Sequence, residues 1–140
     1  MKILLSVDGS KCTRRMLSYI AAHDELLGSG HEYLLFTVVP RLSSGAAQFF
    51  DRLTLDEYYQ DEAQKVLRRA RSFADKQGWT VRTAHAAGHA AEQIAAFAKA
   101  EKPGLIVMGT HGHSALGNVL LGSVASGVLA RCKLPLLFIR

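Results

Sequence analysis

Five short apolar runs, each closed by a turn and parted from the next by a helical stripe, restrict this chain more than anything else in it. The runs are residues 2–7 (KILLSV), residues 32–39 (EYLLFTVV, stopped by Pro40), the loosely alternating stretch from Trp79 to Ala86, Leu105 to Met108, and Leu134 to Ile139. Strands that are apolar on both faces must be covered on both faces, and strands alternating with helices are the pattern of a parallel sheet. The stretches between the runs are long enough to form right-handed βαβ crossovers.

Those stretches carry their own period. From about Lys11 to Leu27, apolar residues recur at Met16, Leu17 and Ile20, a helix ended by Gly28-Ser29-Gly30. Arg41 to about Asp51 shows no period and reads as a loop. Tyr59, Ala63, Val66, Leu67, Ala70, Phe73 and Ala74 mark one face of a long helix closed by Gly78. A third helix opens at Gly88-His89, keeps Ala91, Ile94, Ala95 and Ala98 inward, and stops before Pro103-Gly104. The last runs from about Ser123 to Arg131 with Leu121, Val124, Ala125, Val128 and Leu129 on one side. No internal repeat or low-complexity tract interrupts the order.

At 140 residues the chain fits one domain, 1–140, and 49% hydrophobic against 21% charged residues is an ordinary globular balance. No run is long and apolar enough to span a bilayer. The N-terminal run resembles a signal peptide only briefly: it breaks at Asp8 with no small-residue cleavage site, and a buried first strand explains it better. Cys12 and Cys132 form no CxxC or metal spacing and read as reduced structural thiols, which fits a cytoplasmic location. The formal charge of +5 raises the question of nucleic acid. Yet Lys65, Arg68, Arg69 and Arg71 follow Asp51, Asp56, Glu57, Asp61 and Glu62 along one helix. Acid first and base last complements a helix dipole, and no interleaved aromatics suggest base stacking. The sequence points to a solvated helix face and to no nucleic-acid partner.

The chemistry lies between the fourth strand and the last helix. Met108-Gly109-Thr110-His111-Gly112 leaves the strand and Gly122-Ser123-Val124 starts the helix, giving the spacing G-x2-G-x9-G-S. A phosphate loop needs glycines so that backbone can approach an anion, a helix N-terminus whose free amides receive phosphate oxygens, and a nearby hydroxyl, here Ser123 or Ser126. It is neither a Walker loop nor GxGxxG. The same residues also suit a plain strand–turn–helix connection in which Gly109, Gly112 and Gly117 turn the chain and Ser123 caps the helix. Asp8 favours a site. It ends the first strand on the same sheet edge, where open α/β sheets collect ligands, and can accept a hydrogen bond from a ribose hydroxyl or an adenine amine. It can equally cap the helix that begins near Ser10.

Taken together, KILLSVDGS, LLFTVVP, IVMGTHG and LLGSVASGVLARCKLPLLFIR resemble the universal stress protein family, in order and over essentially the whole chain. The resemblance implies a Rossmann-like open five-stranded parallel sheet in the order 3-2-1-4-5 with helices on both faces. It also gives the G-x2-G-x9-G-S spacing the meaning of an ATP-binding signature. Carried over residue by residue, Ser6, Val7, Asp8 and Val38 contact adenine and ribose, and Met108 and Gly109 continue that contact. Gly112, His113, Gly122, Ser123, Val124 and Ala125 surround the phosphates. Position 113 departs from the family's frequent Arg or Lys, and a histidine supplies full positive charge only when protonated. Ala125 lacks a hydroxyl often present there. The ligand implied is ATP, with or without Mg2+, with AMP and ADP as alternatives. The partner implied is a second copy of the chain, joined through the closing strand, 134–139.

Other chemistries compete. A slow ATPase or an autophosphorylating protein using Ser123 or Ser126 needs a positioned water and a base or metal carboxylate, and only His111 and His113 lie near. Metal binding by His111 and His113, or by His85 and His89, lacks the ligands for a closed site. A nucleotide-independent interaction module would rely on the apolar closing strand as an exposed sheet edge. The expectation is a non-enzymatic nucleotide-binding sensor or regulator.

Overall fold

In the computed structural model, which describes residues 1–111 and 121–140, all five apolar runs form strands of one parallel sheet. They are β1 (Lys2–Ser6), β2 (Glu32–Val39), β3 (Thr80–Ala87), β4 (Leu105–Gly109) and β5 (Leu136–Ile139). Their spatial order is β3-β2-β1-β4-β5, as expected, and every pairing is parallel. β1 is central: its Leu4 lies opposite Leu34 on one side and Ile106 on the other.

A parallel neighbour can be reached only by crossing over the sheet, and helices do this. They are α1 (Lys11–Ala22), the short α2 (Asp24–Leu27) and α3 (Ser44–Ala47), α4 (Arg52–Lys76), α5 (Ala90–Glu101) and α6 (Ser123–Arg131). Alternation along β1 sorts its residues between two cores. Ile3 and Leu5 join Met16, Leu17 and Ile20 of α1 and Ala63, Leu67, Ala70 and Ala74 of α4. Leu4 joins Ala91, Ile94 and Ala98 of α5 with Ala125 and Val128 of α6. Truncating a side chain as enclosed as Leu4 to alanine costs about 2–5 kcal/mol, because both transfer energy and packing are lost.

From β1 the chain winds outward through β2 to β3 with α1 and α4 on one face. It then returns past β1 to β4 and β5 with α5 and α6 on the other. Because such crossovers are right-handed, reversing direction along the sheet switches the face that receives the helix. The reversal falls between β1 and β4, whose carboxyl-end loops must therefore part.

Three local expectations change. The first helix ends at Ala22, where His23 (φ −119°, ψ 54°) closes α1, and α2 follows; the stripe continues across the break because Leu27 is buried. Residues 41–51 contain α3, capped by the Ser43 hydroxyl, which accepts from the Ala46 amide. It shows no apolar period because none of its residues is buried. Leu129 faces outward, 52% exposed. The inner face of α6 is set instead by close contact with α5: a Cβ on Gly127 would lie 2.6 Å from Ala91 Cβ.

Tyr33 of β2 closes the first core at the end where α2 stops. It stacks on Trp79 at 4.7 Å, and its hydroxyl donates to the carbonyl oxygens of Leu27 and, at 3.0 Å, Gly28. Burial, and secondarily the charge of Asp24, pushes the phenol up to about 12. The folded protein therefore holds this proton more tightly than the unfolded chain. That contribution to stability is complete below about pH 10 and is lost as pH rises toward 12. At about 1.4 kcal/mol per unit it amounts to on the order of 2–3 kcal/mol. Urea denaturation across this window is expected to show the loss in the parent and not in Tyr33→Phe, which is less stable by roughly 1 kcal/mol at neutral pH for want of the hydroxyl. Parallel alkaline slopes in the two proteins would disprove the assignment.

Candidate functional site

The crevice at the strand reversal is assembled from six separate pieces of chain, at residues 6–13, 37–40, 62–66, 90–94, 108–111 and 121–125. β1 supplies the first. Val7 is tied to β2 by its amide, which donates to the Phe36 carbonyl at 2.9 Å. Asp8 follows, and Gly9 turns the chain with a φ of +77° that side chains other than glycine's rarely adopt. Ser10, not Asp8, caps α1: its hydroxyl accepts from the Thr13 amide. Asp8 acts one step earlier. Its Oδ1 accepts from the Ser10 amide at 2.9 Å and the Thr13 hydroxyl at 2.7 Å, while its own amide donates to Thr13 Oγ1 at 3.0 Å. These bonds fix the carboxylate above the end of β1.

The two described glycines of the spacing, Gly109 and Gly122, prove to be contact glycines. A Cβ on Gly109 would come within 2.7 Å of Cys12 Cβ, so the end of β4 touches the first turn of α1. A Cβ on Gly122 would come within 2.7 Å of the Thr110 carbonyl oxygen, and the Gly122 amide donates to that same oxygen at 2.6 Å. The start of α6 is thereby pinned against the end of β4. Neither glycine is among the described glycines with positive φ, which are Gly9, Gly78 and Gly88. Here the requirement is backbone approach rather than left-handed conformation.

Gly122 is the N-cap of α6, and among the described residues no side chain caps this helix. The Ser126 amide is bonded to the Gly122 carbonyl at 2.9 Å. The amides of Ser123, Val124 and Ala125 precede it and have no carbonyl within the helix to meet, which makes this end an electropositive cluster of donors.

The open crevice has a volume of about 770 Å³, within the range of sites for small organic ligands. Ser6, Val7 and Asp8 line it from β1 and Val38 from β2. Met108 and Gly109 line it from β4, and Gly122, Ser123, Val124 and Ala125 from the start of α6. The ten described residues that the resemblance assigned to a nucleotide thus all line one crevice, whereas Ser126, the other hydroxyl named from sequence, does not; Gly112 and His113 lie outside the described residues. Val7, Val38 and Met108 give apolar wall for a flat ring, Asp8 an oriented acceptor, and α6 donors for an anion.

Other lining residues carry no motif. Cys12 and Thr13 come from α1, and Ala90 and Ile94 from α5. Glu62 and Val66 enter from α4, four residues apart on one helical face. In sequence Glu62 belongs to the acidic stretch of a solvated helix, where it also pairs with Lys65. The signal that could have found it is Val66: following that apolar face back one turn leads to Glu62.

His111 lines the crevice with its Nδ1 3.0 Å from Thr110 Oγ1, whereas His85 and His89 are exposed on β3 and at the start of α5. Among the described residues no group of three His, Cys, Asp or Glu gathers as for a metal ion, and no helix is long and apolar enough to cross a membrane.

Residues 1–140 match the model of the universal stress protein family. Universal stress protein MJ0531 of Methanocaldococcus jannaschii is 35% identical over 86 residues, 61% of this chain, which spans about half of that relative's length (51%). Universal stress protein YxiE of Bacillus subtilis is 29% identical over 149 residues, covering 99% of this chain and 98% of its own. The solved structure of the hypothetical protein MJ0577 superposes with a TM-score of 0.81 at 26% identity, covering 99% of this chain and 94% of that one. A match that runs from end to end, together with the sheet order and the glycine contacts, places the chain in the universal stress protein family.

Proposed function

We propose that the crevice binds an adenine nucleotide and that the protein acts, as one domain, as a nucleotide-responsive sensor or regulator in stress physiology rather than as an enzyme. One observation carries this reading: ten residues from four distant chain segments, each expected from sequence to touch a nucleotide, line the same 770 Å³ crevice. The base would lie against Val7, Val38 and Met108, the ribose near Asp8, and the phosphate at the amides of Ser123, Val124 and Ala125. Gly112 and His113 belong to the proposed phosphate end by sequence. Ligands of fold relatives support the reading. A universal stress protein from Archaeoglobus fulgidus was solved in complex with dAMP (TM-score 0.67, 22% identity), and one from Arabidopsis thaliana with AMP bound (TM-score 0.71, 15% identity). Binding is favoured over turnover because the crevice carboxylate that ends β1, Asp8, already accepts from the Ser10 amide and the Thr13 hydroxyl at Oδ1.

A second reading concerns assembly. β5 is an edge strand, and its Leu136, Leu137 and Phe138 are only partly buried. The outer edge of such a strand can pair with another strand, and we propose a homodimer through residues 134–139, with Pro135 tolerated because it precedes the paired residues.

Two measurements test these readings. Adenine nucleotide at 100 times its Kd is expected to stabilise the fold by about 2.7 kcal/mol and to raise Tm by roughly 10 °C. Ser123→Asp puts a carboxylate where a helix start favours one, so the unliganded Tm should hold or rise, yet repulsion should weaken nucleotide binding at least tenfold. Absence of any nucleotide shift in the folded parent protein would refute the proposal. For assembly, light scattering on a concentrated solution is expected to give twice the chain mass, and a monomer would refute the dimer.

A further inference from the structure

The sheet has two edges, and the longer one is open. β3 is 8 residues long, pairs with β2 along its whole length, and forms no other strand pairing among the described residues. The Gly88 amide donates to the Val39 carbonyl, so alternation along the strand turns the backbone groups of Val81, Thr83, His85 and Ala87 away from β2. Proteins guard such an edge with a short strand, a bulge, a proline or a charge. β3 is not short, contains no proline and keeps an unbroken register with β2. Its Arg82 is engaged by Glu32 and Glu101, and none of its residues is buried.

The helix beside this edge says what can cover it. α4 packs over both β2 and β3. Strands lie about 4.8 Å apart, so a second copy joined through β3 would set its own α4 two spacings away, roughly 10 Å, where helices pack. A two-fold axis between antiparallel β3 strands makes the two α4 helices antiparallel as well. On α4, Glu57, Asp61, Gln64 and Arg68 share one helical face. Gln64 and Arg68 each follow a crevice residue, Glu62 or Val66, by two positions, about 200° round the helix, so this face turns away from the crevice. Glu57, Asp61 and Arg68 are exposed and stand in no ion pair among the described residues, unlike Glu62 with Lys65 or Arg71 with Asp75. Set antiparallel, the face complements itself: Glu57 meets the partner's Arg68, Arg68 meets the partner's Glu57, and Asp61 meets the partner's Gln64.

We propose that β3 and α4 form a second self-association surface, on which another copy of this chain adds its β3 antiparallel and lays its α4 alongside. The surface lies at the opposite edge from β5 and needs neither the nucleotide nor the β5 dimer. Exposed ion pairs are weak, so main-chain pairing makes the contact and the charges choose the partner and its direction.

Sedimentation of the full chain tests this. At about 50 mM salt the average mass is expected to be about twice that at about 500 mM, where the charges are screened and any β5 pairing alone sets it. The twofold chain mass expected of β5 pairing is therefore the high-salt value. Glu57→Arg and Arg68→Glu each place like charges opposite one another and should lose the low-salt rise. Mixed in equal amounts, the two variants restore both opposite-charge contacts and should recover it. Thr83→Pro removes an outward amide without breaking a bond to β2, and should lose the rise while keeping the fold. A parent mass indifferent to salt would overturn the proposal, as would a rise kept by either charge variant alone. A mixture no heavier than its components would overturn the antiparallel α4 contact. A folded Thr83→Pro that still gains mass would overturn β3 as the paired strand.

Discussion

Parallel pairing of β1 with β4 on one side and β2 on the other is the constraint on which the molecule depends. A strand so placed has no edge, and its alternate side chains enter two different cores: Ile3 and Leu5 meet α1 and α4, and Leu4 meets α5 and α6. Right-handed crossovers then leave the chain little choice. Going one way along the sheet places helices on one face, going the other way places them opposite, and the gap between the two directions opens at the carboxyl ends of β1 and β4. The crevice is thus a consequence of winding, present before any residue in it is chosen.

What makes that gap a chemical site is close backbone contact at its walls. Gly109 lets the end of β4 rest against Cys12, and Gly122 lets the start of α6 rest against Thr110. With α6 drawn in so tightly, its first amides come to line the crevice opposite a carboxylate that Thr13 and Ser10 hold in place. The polar ends are oriented by packing and hydrogen bonds that serve the fold as well. An aspartate that braces a helix start and a glycine that relieves a contact are structural devices that also shape the crevice.

Charge adds a separate layer. The segment from Pro103 to Ala130 has no lysine or arginine, and two carboxylates, Asp8 and Glu62, stand among the described lining residues. Helix amides alone make a modest anion receptor.

Much of this was legible in the sequence because it rests on local periods. Five apolar runs, four helical stripes and the glycine spacing each follow from residues near one another and led to a helix-covered parallel sheet, while its order and ten crevice residues came with the family resemblance. The misreadings share one cause. A period of 3.6 carried the first helix through His23 to Leu27 because the apolar stripe outlasts the helix, and it turned Leu129 inward because a stripe does not say how wide the contact is. Ser10 rather than Asp8 caps α1 because two adjacent acceptors compete and only the folded turn decides between them. By itself the sequence determined which segments become strands and helices and which residues stand at the carboxyl edge, since alternation and helical period act over a few residues. Only the tertiary structure decided that Glu62 and Val66 of α4 join that edge, and that Gly109 and Gly122 are needed for contact. Those outcomes depend on surfaces meeting across tens of residues, where no local period reaches.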